Sequence, residues 1–202
     1  MKINKKYWKK KEEIVRRLQN GADINEQDKY GGIALSCACY YNHTEIVEIL
    51  LQHNKINVNL QSNGGYSPFY VACANNNYEC SLLMLQDARV DINMANKFGI
   101  SPLMIACYRG YTKIVQLLIS YGRNIDIHKK STKDNWLDIK SGSTVLDVAK
   151  QENETDIVKL LQQYQNNPKE TQKTTINQLS LKGKKIKYKI KKIRKRTVKQ
   201  KN

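Results

Sequence analysis

The sequence predicts an all-α solenoid of stacked helix-turn-helix units, and three observations carry that prediction. First, Gly31, Gly65 and Gly99 lie 34 residues apart, and a fixed period of roughly 20–50 residues marks a stacked array. Second, other positions keep the same spacing: Leu35, Phe69 and Leu103; Ala38, Ala72 and Ala106; Cys39, Cys73 and Cys107; Asn25, Asn59 and Asn93. Third, each copy holds two short segments with one apolar side, and two such helices cannot bury those sides without a neighbour. A fourth copy, Gly142-Ser-Thr-Val-Leu-Asp-Val-Ala149, follows 43 residues after the third. Its extra length lies between Ile127 and Ser141.

The elements follow in chain order. Lys10 to Gln19, closed by Gly21-Ala-Asp-Ile-Asn25, reads as a second helix without a first. Tyr7, Lys11, Ile14 and Leu18 run along one face of it, as an N-terminal cap requires. In the later copies Ser67, Ser101 and Thr144 are N-caps, because their hydroxyls can accept from an orphan N–H. Ile33 is the exception. Pro68 and Pro102 suit the first helical position, where no N–H is needed. Asn42, Asn76, Gly110 and Asn153 close the first helices, and only Gly and Asn readily take positive φ. The second helices are Glu45 to His53, Tyr78 to Gln86, Thr112 to Tyr121 and Thr155 to Tyr164. In the third, Ile114, Val115, Leu117, Leu118 and Ile119 crowd one side. Cys80-Ser-Leu-Leu83 interrupts the pattern, which predicts looser packing in copy two. Pro168, after a Gln/Asn-rich stretch, is predicted to stop any helix.

These residues resemble ankyrin repeats. The family's Thr-Pro-Leu-His motif is matched by Ile33-Ala-Leu-Ser36, Ser67-Pro-Phe-Tyr70, Ser101-Pro-Leu-Met104 and Thr144-Val-Leu-Asp147. Its second helix is matched by Ile46-Val-Glu-Ile-Leu-Leu51, Ile114-Val-Gln-Leu-Leu-Ile119 and Ile157-Val-Lys-Leu-Leu161. No copy keeps the motif histidine. The resemblance covers about residues 12–164 and implies an ankyrin-repeat solenoid joined by β-turn/hairpin loops. The implied organisation is an N-terminal helical cap (1–27), repeat 1 (28–60), repeat 2 (61–94), repeat 3 (95–127), repeat 4 (128–164, with an extended loop 128–141) and a basic disordered tail (165–202).

Composition bounds the function. The net charge is +17, but it sits at the ends: residues 1–17 carry +6, residues 168–202 carry +13, and the body between carries −2. Lys, Asn, Ile and Tyr are abundant throughout, so biased codon usage competes with function as the cause. No apolar run approaches the roughly 18 residues of a membrane span, and Met1 to Glu13 lacks an apolar signal core. Five cysteines, an odd number, fit a reducing compartment, so the chain is expected to be intracellular, cytoplasmic or nuclear.

The chemistry-bearing residues are few. The Cys39, Cys73 and Cys107 positions fall on equivalent helices roughly 8–10 Å apart, too far for a disulfide. His43, His53 and His128 sit near no paired carboxylate or metal-binding spacing. No phosphate-binding glycine loop or nucleophile elbow occurs. The expectation is a non-enzyme with no catalytic residue, metal or cofactor.

The resemblance implies that turn tips and the exposed side of the first helices bind an unidentified protein partner, the chain acting as a monomer. The positions so mapped include Tyr30, Tyr40, Tyr41, Tyr66, Phe98, Tyr108 and Arg109, residue types enriched in hot spots. The competing reading is that they pack between repeats. In the insertion, Trp136 is either an anchor on an extended finger or part of a mobile loop. In the tail, Lys184, Lys185, Lys191, Lys192, Arg194, Lys195 and Arg196 fit four readings. They resemble a signal for an import receptor. They could also contact nucleic acid or an anionic membrane, or simply solubilise the chain.

Overall fold

The computed structural model describes residues 11–182 except 122 and 134–136. Trp136 and the basic positions Lys184 to Arg196 therefore lie outside the described residues, as does Tyr7. The helices are α1 (Lys11–Gln19), α2 (Ala34–Tyr40), α3 (Thr44–Gln52), α4 (Pro68–Ala74), α5 (Tyr78–Gln86), α6 (Pro102–Tyr108), α7 (Thr112–Ser120), α8 (Val145–Gln151), α9 (Thr155–Asn166) and α10 (Pro168–Lys182). Helices α2, α4, α6 and α8 pack side by side as one layer, and α1, α3, α5, α7 and α9 form a second.

Local chemistry sets the helix ends. The hydroxyls of Ser67, Ser101 and Thr144 accept from the N–H of Tyr70, Met104 and Asp147. Asp147 returns a bond to the Thr144 N–H, closing a capping box. Ile33 supplies no such bond. Asn42, Asn76, Gly110 and Asn153 all take positive φ, between 55° and 65°, which turns the chain from first to second helix as their chemistry requires.

The core runs unbroken through the stack. Leu35, Phe69 and Leu103 are fully buried, as are Ala38, Ala72 and Ala106 and Cys39, Cys73 and Cys107. One large side chain per unit fills the space between layers, and each such burial stabilises by about 1.5–3 kcal/mol. Two small residues per unit let neighbouring first helices approach. The five cysteines form no disulfide.

Side chains stitch successive turns together. Asn25 Nδ2 donates to Lys55 O and its Oδ1 accepts from Asn57 N. Asn59 repeats this with Arg89 O and Asp91 N, and Asn93 with Asn124 O and Asp126 N. Gln27 bridges to Gln61 O, and Gln61 to Ala95 O. The 34-residue period thus exists at the turns because each amide serves two units.

The structure departs from expectation in four places. Each tip is a turn closed by a backbone bond such as Ser62 N to Tyr66 O or Asn96 N to Ile100 O; there is no β-strand among the described residues, so the hairpin expectation reduces to turns. Helix α5 buries six consecutive residues, Cys80 to Leu85. It is flanked by α3 and α7 and covered by α4, and Ser81 meets Cys73 Sγ at 3.8 Å. The sequence break in copy two marks all-round burial, not looser packing. In the insertion, Ser131, Leu137 and Ile139 are buried, and Ser131 pairs with Ser143 and Gly142 through the backbone. Both described ends of the loop fold onto the core through these residues, where an extended loop was expected; the stretch around Trp136 lies outside the described residues.

The fourth departure is the largest. The disordered tail expected from residue 165 does not begin there: α9 runs to Asn166 and α10 follows directly. Pro168 starts a helix because its missing N–H costs nothing in the first turn, and Asn167 Oδ1 accepts from Glu170 N. Helix α10 packs on α7 and α9. Thr171 and Thr175 are buried there, their hydroxyls donating to Asn167 O and Thr171 O.

Candidate functional site

Four of the tyrosines converge. Tyr30, Tyr40, Tyr41 and Tyr66 line one concavity of about 470 Å³ between the first two tips and helices α2 and α4. Asp28, Ser36, Cys37, Gly64 and Val71 complete much of its wall. Among the described residues Tyr30, Tyr40 and Tyr41 are the three most exposed large apolar ones, each more than half exposed. Aromatic side chains left so open are a local departure from burial.

Each ring is held by the fold beneath it. Asp28 Oδ1 accepts from Tyr30 N and Gly32 N, fixing the first tip. Lys29 Nζ lies 4.8 Å from the centre of the Tyr30 ring. Tyr40 ends α2 and Tyr41 caps it. Asn77 reaches from the next unit, its Nδ2 donating to Cys39 O at 2.6 Å and Tyr40 O at 3.0 Å. Tyr40 O lies in the last turn of α2, where carbonyls lack an intrahelical partner, and Cys39 O also accepts from Asn42 N. Tyr40 and Tyr41 meet edge to face at 4.9 Å, and Tyr41 stacks on His43 at 5.9 Å, geometries that suit ring quadrupoles. Tyr66 leans on Tyr70 at 5.1 Å. Its ring lies so close to Gly64 that a Cβ there would fall 2.4 Å from Cε2.

The remaining expected positions lie elsewhere. Phe98 is half-buried at the third tip, packed on the core, and its carbonyl accepts from Thr132 N. Tyr108 is half-buried at the end of α6, and Arg109 is exposed at its C-cap. None of the three lines the concavity. Tyr70, at the motif-histidine position, is buried, and burial above all pushes its phenol up, with Arg109 and the Asn96 amide pulling the other way. Asn96 Nδ2 reaches its hydroxyl at 3.4 Å. Ser36, at the same motif position in the first full unit, is buried with no hydrogen-bond partner for Oγ. The sequence reading passed over Asp28, Ser36 and Gly64, although all three stand at repeat positions adjoining the tyrosines.

A second hollow, of about 520 Å³, opens beside the end of α1 and is lined by Arg16, Arg17, Asp23 and Glu26 without any aromatic residue. No group of three or more His, Cys, Asp or Glu able to hold a metal occurs among the described residues. No helix among them is long and apolar enough to cross a membrane.

Comparison with known proteins agrees with this architecture. A search of curated proteins gives no match. The family model described as "Ankyrin repeats (3 copies)" matches twice, over residues 6–96 and 81–174. The matched segments span the helix pairs and their turns, and the chain belongs to the ankyrin-repeat family.

Proposed function

We propose that this chain is a recognition module, four repeats behind a half-repeat cap, that binds a protein partner across its turn tips and first-helix layer. Ankyrin-repeat proteins generally serve as protein–protein interaction modules and are typically non-catalytic scaffolds. The observation that carries the present reading is the set of exposed tyrosines gathered around one concavity. Aromatic side chains supply large contact area with little rotamer entropy to lose, which suits them to anchor a partner. Phe98, Tyr108 and Arg109 would extend the contact onto the third repeat.

The test is a comparative pull-down. Replacing Tyr30, Tyr41, Phe98 and Arg109 together by Ala abolishes saturable capture of the partner, while far-ultraviolet circular dichroism stays that of the parent. Unchanged capture would remove the site.

A second reading rests on residues 183–202, which hold eleven Lys/Arg and no acidic residue. They would bind nucleic acid or an anionic membrane, or carry an import signal for a nuclear location. Here the comparison is the full chain against residues 1–182. Binding to DNA, RNA or anionic vesicles that needs the tail falls steeply as salt rises, because counterions are released.

A further inference from the structure

We infer that the tyrosine concavity takes the guanidinium of an arginine side chain presented by the protein partner. This rests on the reading that the surface binds a protein, and it names the side chain that the centre of that surface selects.

The electrostatics of the wall decide the sign of the ligand. Four phenol rings, Tyr30, Tyr40, Tyr41 and Tyr66, surround the space, and the face of an aromatic ring is negative. Asp28 is the one charged residue of the lining; no Lys or Arg belongs to it. Lys29 Nζ sits 4.8 Å from the Tyr30 centroid, inside the roughly 6 Å limit for cation–π attraction, so Tyr30 is partly satisfied by the chain's own cation and Tyr40, Tyr41 and Tyr66 carry the attraction for a ligand's. An anion would face ring electrons and a carboxylate. A purely apolar group would desolvate that carboxylate further with only its two backbone N–H bonds in compensation, which is costly.

The donors decide which cation. Asp28 Oδ1 accepts two backbone N–H groups, and a carboxylate has about four acceptor sites, so capacity remains. A quaternary ammonium has no N–H to offer that carboxylate. A primary ammonium is compact and strongly hydrated, and gives up that hydration reluctantly. A guanidinium is planar, stacks on rings, carries five donors and is less strongly hydrated. The volume of about 470 Å³ is in the range of small-molecule clefts and admits an arginine side chain with its flanking backbone.

The chain helps the experiment. Its net charge of +17 repels a cationic probe, so any preference for charge must come from the local site. Short acetylated, amidated Gly-Ser peptides carrying one central arginine, lysine or citrulline are titrated into the full-length protein by calorimetry at fixed salt. Citrulline keeps the shape of arginine and removes its charge. The arginine peptide binds about 5- to 30-fold tighter than the citrulline peptide, the span expected of a partly desolvated cation–π site, and tighter than the lysine peptide. The Tyr40→Leu/Tyr41→Leu variant, altered only at exposed rings, loses that preference. Asp28→Asn, which keeps an oxygen for the turn, reduces it. Equal affinity for arginine and citrulline, or no arginine binding, overturns the inference. If partner capture is still lost in the four-alanine variant while the two peptides bind alike, the recognition surface stands and only the arginine assignment falls.

Discussion

Two adjacent glycines, Gly64 and Gly65, should answer oppositely to the same substitution. At Gly65 φ is +81°, and an added Cβ would lie 2.7 Å from the Lys97 backbone nitrogen and 3.1 Å from Asn96 backbone atoms. The left-handed backbone alone costs a non-glycine residue about 1–2 kcal/mol. Relieving the clash means parting the second tip from the third, with loss of the Lys97 N–H to Gly64 O bond, about 0.5–1.5 kcal/mol more. Gly65→Ala therefore destabilises by about 1.5–3.5 kcal/mol. At Gly64 the obstacle is the Tyr66 ring, which can swing away, and the alanine gains about 0.4–1 kcal/mol by restricting the unfolded chain. Gly64→Ala stays within about 1 kcal/mol of the parent yet displaces a wall of the concavity. Gly142→Ala is the control. Its φ is +86° but nothing lies within 4 Å of the new Cβ, so it reports the backbone term alone. Urea unfolding followed by circular dichroism separates them. With a slope of about 2–3 kcal/mol per molar, the Gly65→Ala midpoint falls by about 1 M and the other two by less. Arginine-peptide affinity falls for Gly64→Ala and is kept by Gly142→Ala. Equal midpoints for Gly64→Ala and Gly65→Ala would refute the close-approach reasoning.

Four further outcomes are expected. Asn77→Ala, which removes the amide bonded to Cys39 O and Tyr40 O, lowers urea stability by about 1–2 kcal/mol and weakens arginine-peptide binding more than a substitution on α7 of equal thermodynamic cost. Burial pushes the Cys73 and Cys80 thiols up to about 12, and Cys39 and Cys107 also go up. Between about pH 9 and 12 the unfolded chain releases thiol protons that the native chain keeps. Their contribution is whole below pH 9 and lost as pH rises, so the urea midpoint falls across that window. A thiol reagent at pH 8 modifies half-buried Cys37 before the other four, read by mass spectrometry. Thr175→Asp puts a carboxylate where a 1 % exposed hydroxyl now bonds Thr171 O. Amide exchange then becomes fast along α10 while α2 to α6 stay protected; collapse of the whole array would contradict the one-dimensional coupling of the units.

Much of the architecture was legible because repeats state each rule several times. Asn42, Asn76, Gly110 and Asn153 announced positive φ before any coordinates, and Ser67, Ser101 and Thr144 announced their caps. Helix α10 was not legible. Pro168 both ends and begins helices, and the residues that seat α10, Thr171 and Thr175, are polar ones whose hydroxyls turn back on their own backbone. Leu137 and Ile139 hid in a loop assigned by its length. At the site, the resemblance to ankyrin repeats pointed to the positions of Tyr30, Tyr40, Tyr41 and Tyr66, and their residue type fitted an interface. Phe98, Tyr108 and Arg109 occupy equivalent positions but lie beyond the concavity. Ser36 gave no signal of its own, since an unpartnered hydroxyl is a property of packing.

The amide stitching also bears on how such a chain can change length. Gln27 now donates to Gln61 O, and Gln61 to Ala95 O; Tyr30 O accepts from Asn63 N, and Gly64 O from Lys97 N. Removal of residues 61–94 would bring Ala95 O to Gln27 and Lys97 N to Tyr30 O, so these donors and acceptors keep partners of the same kind. Removal of one residue more or fewer would mismatch the rungs at that junction while the other units keep theirs. Within the first three repeats 34 residues is the step of gain or loss that leaves the stitching intact, a unit set by the reach of an amide side chain from one turn to the next.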